Sequence, residues 1–386
     1  MLTIKTALHI AYYELRHIWK NPILFLIVFL APTVYGIFFG AVYCHAVLAE
    51  IPLGIVDLDH SGISRELTAA FSNDPYFKIV PDVSSYQELE EAMHTGKVRA
   101  GIVIPEQFEK KVQHNRQTEV LNVYDASNLI WGLNTRKNAM EVINKFNNQY
   151  TVEYLSGAGL NTQESLRIVN AVEANVVSWY NPTNSYPTYI VIGLMMMLLQ
   201  QLGLMSSGLT VTREKENNTW LHFVSSGVAW PKIVLGKCLP YFLANFLNYT
   251  LVACVAFEIG GAKMEGNIGL FLTMGIVYDL VITFMGFVIS LLAEQSLQVT
   301  RYLTLLSLPI FIMSGYTWPS THIPGFINAL ASIFPSTWMM KAERIITVKG
   351  LGINYLGTNI LVLLSMAGAS LLIAFLYPHI ERRLPV

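Results

Sequence analysis

The chain of 386 residues is 53% hydrophobic and only 13% charged, with a formal net charge of −1. That balance is too apolar for an ordinary soluble protein and offers no basic field for nucleic acid. Three cysteines, Cys44, Cys238 and Cys254, fit neither a disulfide framework nor a clustered zinc site and read as free thiols. Charge is concentrated in residues 45–178 and in short loops. Elsewhere several stretches run about 20 residues almost without charge, enough to cross about 30 Å of hydrocarbon. The expected fold is membrane all-α, with six transmembrane helices and an inserted extracytoplasmic α/β domain.

In chain order, residues 1–21 read as a cytoplasmic amphipathic helix. Lys5, Arg16 and Lys20 stand beside Leu8, Tyr12, Leu15 and Trp19, the pattern of a helix lying along a membrane surface; a plain cytosolic extension is the alternative. The run that follows exceeds a signal-peptide core and has no clear cleavage site, so it reads as a retained anchor. Spans are expected over 22–43, 187–210, 239–260, 268–292, 302–318 and 354–377. Lys and Arg in the short loops favour the cytoplasm. Lys5, Arg16 and Lys20 put the N-terminus inside, together with the 211–238 loop, Arg301 and the tail with Arg382 and Arg383. Lys341, Arg344 and Lys349 then fall outside, where a re-entrant segment over about 319–345 holds them near the headgroups.

Residues 44–184 form the extracytoplasmic insertion. Pro52–Asp57 reads as a buried strand, Ser64–Phe71 as a helix, Phe77–Val80 as a strand, Ser85–His94 as a helix and Val98–Ile104 as a strand. This alternation predicts a small α/β domain with parallel pairing. A strand near Val120–Tyr124 and long helices over 127–157 and 162–178 follow. Asp57, Asp59 and His60 are close enough to suggest a metal; the other reading is a strand cap and turn before Ser61-Gly62. No GxSxG, HExxH or phosphate-cradling GxxxxGK[ST] occurs in these residues, so no catalytic or ATP-binding role is expected of them.

After the second span comes Arg213-Glu-Lys-Glu, then Thr219, Trp220, Phe223 and Val224, a turn at Gly227, and Gly236-Lys237. Charges at a span end followed by a short amphipathic helix suit docking: the apolar face fits a partner's groove while Arg213, Glu214, Lys215 and Glu216 fix register. An ordinary solvated loop is the other physical reading.

The order Arg213-Glu-Lys-Glu…Thr219…Gly236-Lys237 resembles the signature of permeases of type-2 ABC exporters. There this segment, about 213–227 here, is the coupling helix that docks on an ATP-binding subunit. Glu14-Leu-Arg…Lys20-Asn-Pro22 is similar to the family's connecting helix. Val56-Asp57…Ser64-Arg-Glu-Leu67 with Gly96–Pro105 looks like the outer domain of one of its branches. Ser314-Gly-Tyr-Thr-Trp-Pro319, Pro324 and Phe334-Pro335 resemble the segment closing the fifth span, with Gly315, Pro319, Pro324 and Pro335 shaping an outer re-entrant gate. Asn218 stands where the family usually has glycine, and Gly227 where it usually has proline.

The resemblance implies a bacterial inner-membrane permease with both termini cytoplasmic, which itself holds no cofactor. ATP and Mg would sit on a partner ABC ATPase subunit. A second permease chain, identical or a paralogue, would complete the translocator, with membrane lipid around it. A periplasmic adaptor is a further expected partner. Met196, Gln200 and Gln201 in the second span, with Asn245 and Glu258 in the third, are translocation-path candidates; Met there also suits plain core packing. Cargo classes consistent with the family are drug-like molecules, lipids and polysaccharides. An ion-gradient transporter or a membrane sensor is the alternative, against which stand nearly charge-free spans and no evident internal repeat.

Overall fold

The computed structural model describes residues 2–44, 50–114, 116–169, 179–181 and 185–381. The chain divides into two compact units, residues 47–177 and the remainder. Arg382 and Arg383 lie outside the described residues.

The chain opens with α1 (Leu2–Lys20), whose buried residues Ala11, Glu14 and Ile18 recur at helical spacing. Leu8, Tyr12 and Trp19 are exposed on it. Asn21 caps the next helix by accepting from the Ile23 and Leu24 N–H groups, with Pro22 at the first helical position. The first span runs Pro22–Tyr43 as α2 (Pro22–Phe25), a π-helical turn (Leu26–Leu30) and α3 (Ala31–Tyr43). Pro32 cannot give the Val28 carbonyl its ordinary donor four residues on, and Asn248 Nδ2 donates to it at 2.6 Å.

The unit of residues 47–177 carries a four-stranded sheet in the order β2-β1-β3-β4. Its elements are β1 (Ile51–Asp57), α4 (Gly62–Ser72), β2 (Phe77–Ile79), α5 (Tyr86–His94), β3 (Ala100–Ile104), α6 (Phe108–Gln113) and β4 (Leu121–Tyr124). β1 pairs parallel with β2 and β3, while β4 is antiparallel to β3. Crossover helices impose the parallel pairs, and both are announced by capping boxes, Ser61 with Ser64 and Ser85 with Glu88. Asp57 Oδ1 accepts from the Asp59 and His60 N–H groups and Oδ2 from the Ser64 hydroxyl. Asp57 therefore closes the strand-to-helix turn, and Asp59 is engaged by the Glu109 N–H. α6 was not expected from sequence. α7 (Leu129–Gly157) packs Ala139 and Val142 into the sheet's core, and α8 (Thr162–Val169) ends the described part of this unit; the expected continuation to 178 falls outside the described residues.

The remaining helices are α9 (Tyr186–Glu216), α10 (Trp220–Ser225), α11 (Trp230–Glu258), α12 (Ile268–Leu292), α13 (Ser296–Met313), α14 (Gly325–Ala331), α15 (Pro335–Glu343) and α16 (Gly357–Glu381). Among the described residues, six helical segments are long and apolar enough to cross a membrane: Pro22–Tyr43, α9, α11, α12, α13 and Gly357–Pro378. α11 begins nine residues before the expected 239, because Pro231 sits comfortably at a helix start and the run to Lys237 continues without a breaker. The fifth span is Ser296–Met313 rather than 302–318; Gly315, at φ +78°, ends it. α9 and α12 are the best-packed spans, whereas α13 and α16 expose most of their apolar surface, the surface that lipid or further helices cover.

Candidate functional site

The residues singled out around the α9–α11 connection converge on one buried joint. α9 runs on past its apolar part, so Arg213 and Glu214 project from its last turn. α11 starts early, so Lys237 projects from its third turn. α1 crosses both and brings in Glu14. The crossing is close because position 236 is glycine: a Cβ there would meet Ile10 Cβ at 2.7 Å and the Ala7 carbonyl at 2.9 Å.

Within the joint, Glu14 Oε1 accepts from Arg213 Nη2 at 2.6 Å and from the Tyr241 hydroxyl at 2.8 Å. Glu14 Oε2 accepts from Lys237 Nζ at 2.6 Å. Lys237 Nζ donates also to Glu214 Oε1 at 2.5 Å and lies 4.6 Å from the centre of the Phe223 ring. The Thr219 hydroxyl, at the start of α10, donates to Glu214. Lys237 is 1% exposed and Glu14 4%, so these charges are paired with each other rather than with water. Burial alone would push the Glu14 carboxyl up; Lys237 and Arg213 outweigh it and hold the group below the usual carboxylate range. Removing one member of such a buried set costs about 3–5 kcal/mol, because the others are left uncompensated.

The second half of the Arg213–Glu216 run serves a different neighbour. Lys215 Nζ donates to the Leu291 and Ala293 carbonyls at 2.5 and 2.9 Å, satisfying the C-terminus of α12. Glu216 accepts from the Ser296 N–H and hydroxyl at 2.7 and 2.8 Å, at the start of α13. Consecutive charges therefore tie the end of α9 to α1 and α11 on one side and to the α12–α13 turn on the other.

α10 is held on this platform. Trp220 is buried and Phe223 half-buried, packed with Trp230, Ile233 and Val234. Of the side chains expected on the face that meets a partner's groove, Trp220 and Phe223 thus face the bundle, while Val224 does not. Leu221, 72% exposed, and Val224, 49% exposed, point outward beside His222. Asn218 adopts φ +58°, a left-handed conformation that asparagine tolerates and glycine adopts freely. Gly227 adopts φ +68°, which a proline ring forbids, so the chain here turns differently from one with proline.

Other singled-out residues lie elsewhere. Met196 is buried in the main apolar cluster among Met195, Leu199 and Val252, which is core packing. Gln200 Oε1 accepts from the Tyr278 hydroxyl at 3.1 Å, and Gln201 Nε2 reaches Thr304 at 3.5 Å. Asn245 Oδ1 accepts from Ser206 at 3.3 Å. Glu258 is exposed at the last turn of α11. Beyond α13, Pro319 precedes a short 3-10 turn (Ser320–His322), Pro324 precedes α14, and Pro335 opens α15. Tyr316 presses on Gly193, where a Cβ would lie 2.1 Å from its ring. Arg344 donates to the Tyr316 carbonyl at 2.8 Å and lies over the Tyr316 ring at 4.3 Å; Lys341 covers Trp338. Lys349 lies 5.6 Å from the centre of the Tyr180 ring, so each of the three cations expected in this region has an aromatic neighbour.

Three functional candidates were missed. Asp279 stands in the middle of α12 and is 4% exposed, so the spans are not uniformly free of charge. Its signal was legible, a lone carboxylate inside 268–292. Glu343, fully buried in α15 and accepting from the Tyr249 hydroxyl at 2.8 Å, carries no such signal. Nor does Tyr241, a tyrosine among many apolar neighbours.

Six helices apolar and long enough to cross a membrane, two of them locked to α1 by a buried charge joint, define a multi-pass membrane protein. The chain belongs to the ABC-2 family of transporter proteins, whose family profile matches residues 23–376. It is 24% identical over 283 residues to the probable multidrug ABC transporter permease YbhR of Escherichia coli strain K12, covering 73% of this chain and 74% of that one. It is 23% identical over 372 residues to the probable multidrug permease YbhS of the same strain, covering 96% and 95%. To the inner membrane transport permease YhhJ it is 22% identical over 381 residues, covering 97% of each.

Proposed function

We propose that this chain is the membrane subunit of an ATP-driven exporter, worked by a separate ATPase that docks on α10. The observation that carries this reading is the joint: Glu14, Arg213, Glu214, Thr219 and Lys237 hold a short helix rigidly on the bundle while Leu221 and Val224 project from it. A push on those side chains is passed to α1, α9 and α11 together, because the buried charges leave them no independent movement. Two such chains, or this one and a paralogue, would enclose the path, and closure of an ATPase dimer around ATP and Mg would bias two arrangements of the halves.

In this reading α10 and both termini are cytoplasmic, the 47–177 unit is extracytoplasmic, and the membrane is the bacterial inner membrane. Gly315, Pro319, Pro324 and Pro335 shape the outer gate, and Gln200, Gln201, Asn245 and Glu258 remain path candidates. Cargo is a drug-like molecule, lipid or polysaccharide; the names of the multidrug relatives favour the first. The long α7 suits an envelope adaptor, which crosslinking from cysteines placed along 129–157 would capture. The test is reconstitution in liposomes with and without the ATPase: ATP-dependent export is expected only with it. Asp279 and Glu343 favour ion-gradient transport as a second reading; gradient-driven export by the chain alone would establish that one instead.

A further inference from the structure

A small cavity lies among α3, α9, α11 and α12, lined by Pro32, Gly203, Asn245, Asn248, Tyr278 and Asp279. It offers about 20 Å³ to water-sized occupants, more than the roughly 10–15 Å³ that one water requires. Its walls are otherwise apolar, yet three buried polar atoms on lining residues have no hydrogen-bond partner: Asn245 Nδ2, Asn248 Oδ1 and Asp279 Oδ2. Asn248 is 2% exposed, Asp279 4% and Asn245 8%. Each unpaired atom carries an uncompensated desolvation cost if nothing answers it, so a folded protein is expected to supply an occupant.

We propose that Asn245, Asn248 and Asp279 bind a single water molecule against the neutral carboxylic acid form of Asp279. Three hydrogen bonds are the usual complement of a buried water, and this trio supplies that number with both donors and acceptors. A water accepts from Asn245 Nδ2 and donates to Asn248 Oδ1, and the acid shares the remaining contact. Asn248 cannot turn its amide round, because Nδ2 is committed to the Val28 carbonyl. Asn245 can be placed with either end toward the cavity, and a water suits both orientations; a metal cation suits only one. Among the described residues no lysine or arginine pairs with Asp279; the side chains that act on its carboxyl are those of Asn245 and Thr283. A carboxylate without a countercharge in hydrocarbon is costly, so the group takes a proton or a cation, and the small cavity with few oxygens favours the proton.

The site has a place in the architecture. It touches the irregular turn of the first span through Asn248, α9 through the Ser206 contact to Asn245, and α12 through Asp279. It is a hydrated joint at the only π-helical stretch among the described residues of the six spans.

The experiment uses the full chain in lipid nanodiscs, as wild type, Asp279→Asn and Glu343→Gln. Infrared spectra should show a neutral-acid carbonyl component that Asp279→Asn removes, distinct from the component that Glu343→Gln removes. Thermal unfolding midpoints should be equal in sodium chloride and choline chloride at equal ionic strength. A neutral-acid region that is identical in wild type and Asp279→Asn, with both variants folded, would overturn the neutral acid. A midpoint raised by sodium in the wild type but not in Asp279→Asn would replace the water by a cation. If Asp279→Asn does not fold, Asn248→Leu serves: loss of the amide acceptor should shift the acid's carbonyl absorption, and no shift would contradict the shared water.

Discussion

The helical unit contains two buried acids in opposite company. Glu14 meets two cations and a tyrosine hydroxyl within 2.8 Å. Asp279 meets amides and a small cavity, with one oxygen unanswered. The first arrangement fixes geometry: opposed charges at short range tolerate little displacement, which suits a part that must pass on force. The second tolerates change, because a neutral acid or an amide can occupy the same place. A buried carboxylate is therefore not one kind of feature, and its neighbours decide which kind it is.

The largest effect should come from unbalancing the paired site. Lys237→Met leaves Glu14 and Glu214 short of a cation and should lower stability by about 3–5 kcal/mol, measured by denaturation in mild detergent. Asp279→Asn should change it far less; equal losses would erase the distinction. Gly236→Val forces α1 away from α11 and should cost about 1–3 kcal/mol, read in the same assay. Glu343 sharpens the comparison by pH. Burial pushes its carboxyl from the ordinary 4.5 up to about 8, the Tyr249 hydroxyl acting the other way. Its folded form is thus favoured when protonated: the contribution is full below about 4.5 and is lost as pH rises through about 8. The wild type should lose stability over that window, whereas Glu343→Gln should not share that loss. The smallest effect is at Asn218, where alanine should cost about 1–2 kcal/mol for its left-handed backbone and glycine should be near neutral.

Much of the architecture was legible because it rests on periodicity and length. Apolar runs marked six spans, and alternating strand and helix patterns marked the parallel strands. Boundaries failed where charge and helix overlap: Lys237 looks like the edge of a span but lies about two turns inside α11, paired with Glu14. The same blindness affected the joint. Arg213, Glu214 and Lys237 read as a charged surface for a partner, since sequence gives no hint that residue 14 arrives between them. Which face of α10 turns outward was likewise illegible, because Trp220 and Leu221 are both apolar and only packing separates them.

The central claim is that Leu221 and Val224 present α10 to an ATPase while the buried joint holds it. The direct test is co-purification of the ATPase with the tagged chain carrying Leu221→Asp and Val224→Asp, alongside the wild type. The expected double variant is as stable as the wild type and no longer retains the ATPase. A stable double variant that retains the ATPase and still exports in response to ATP would contradict it.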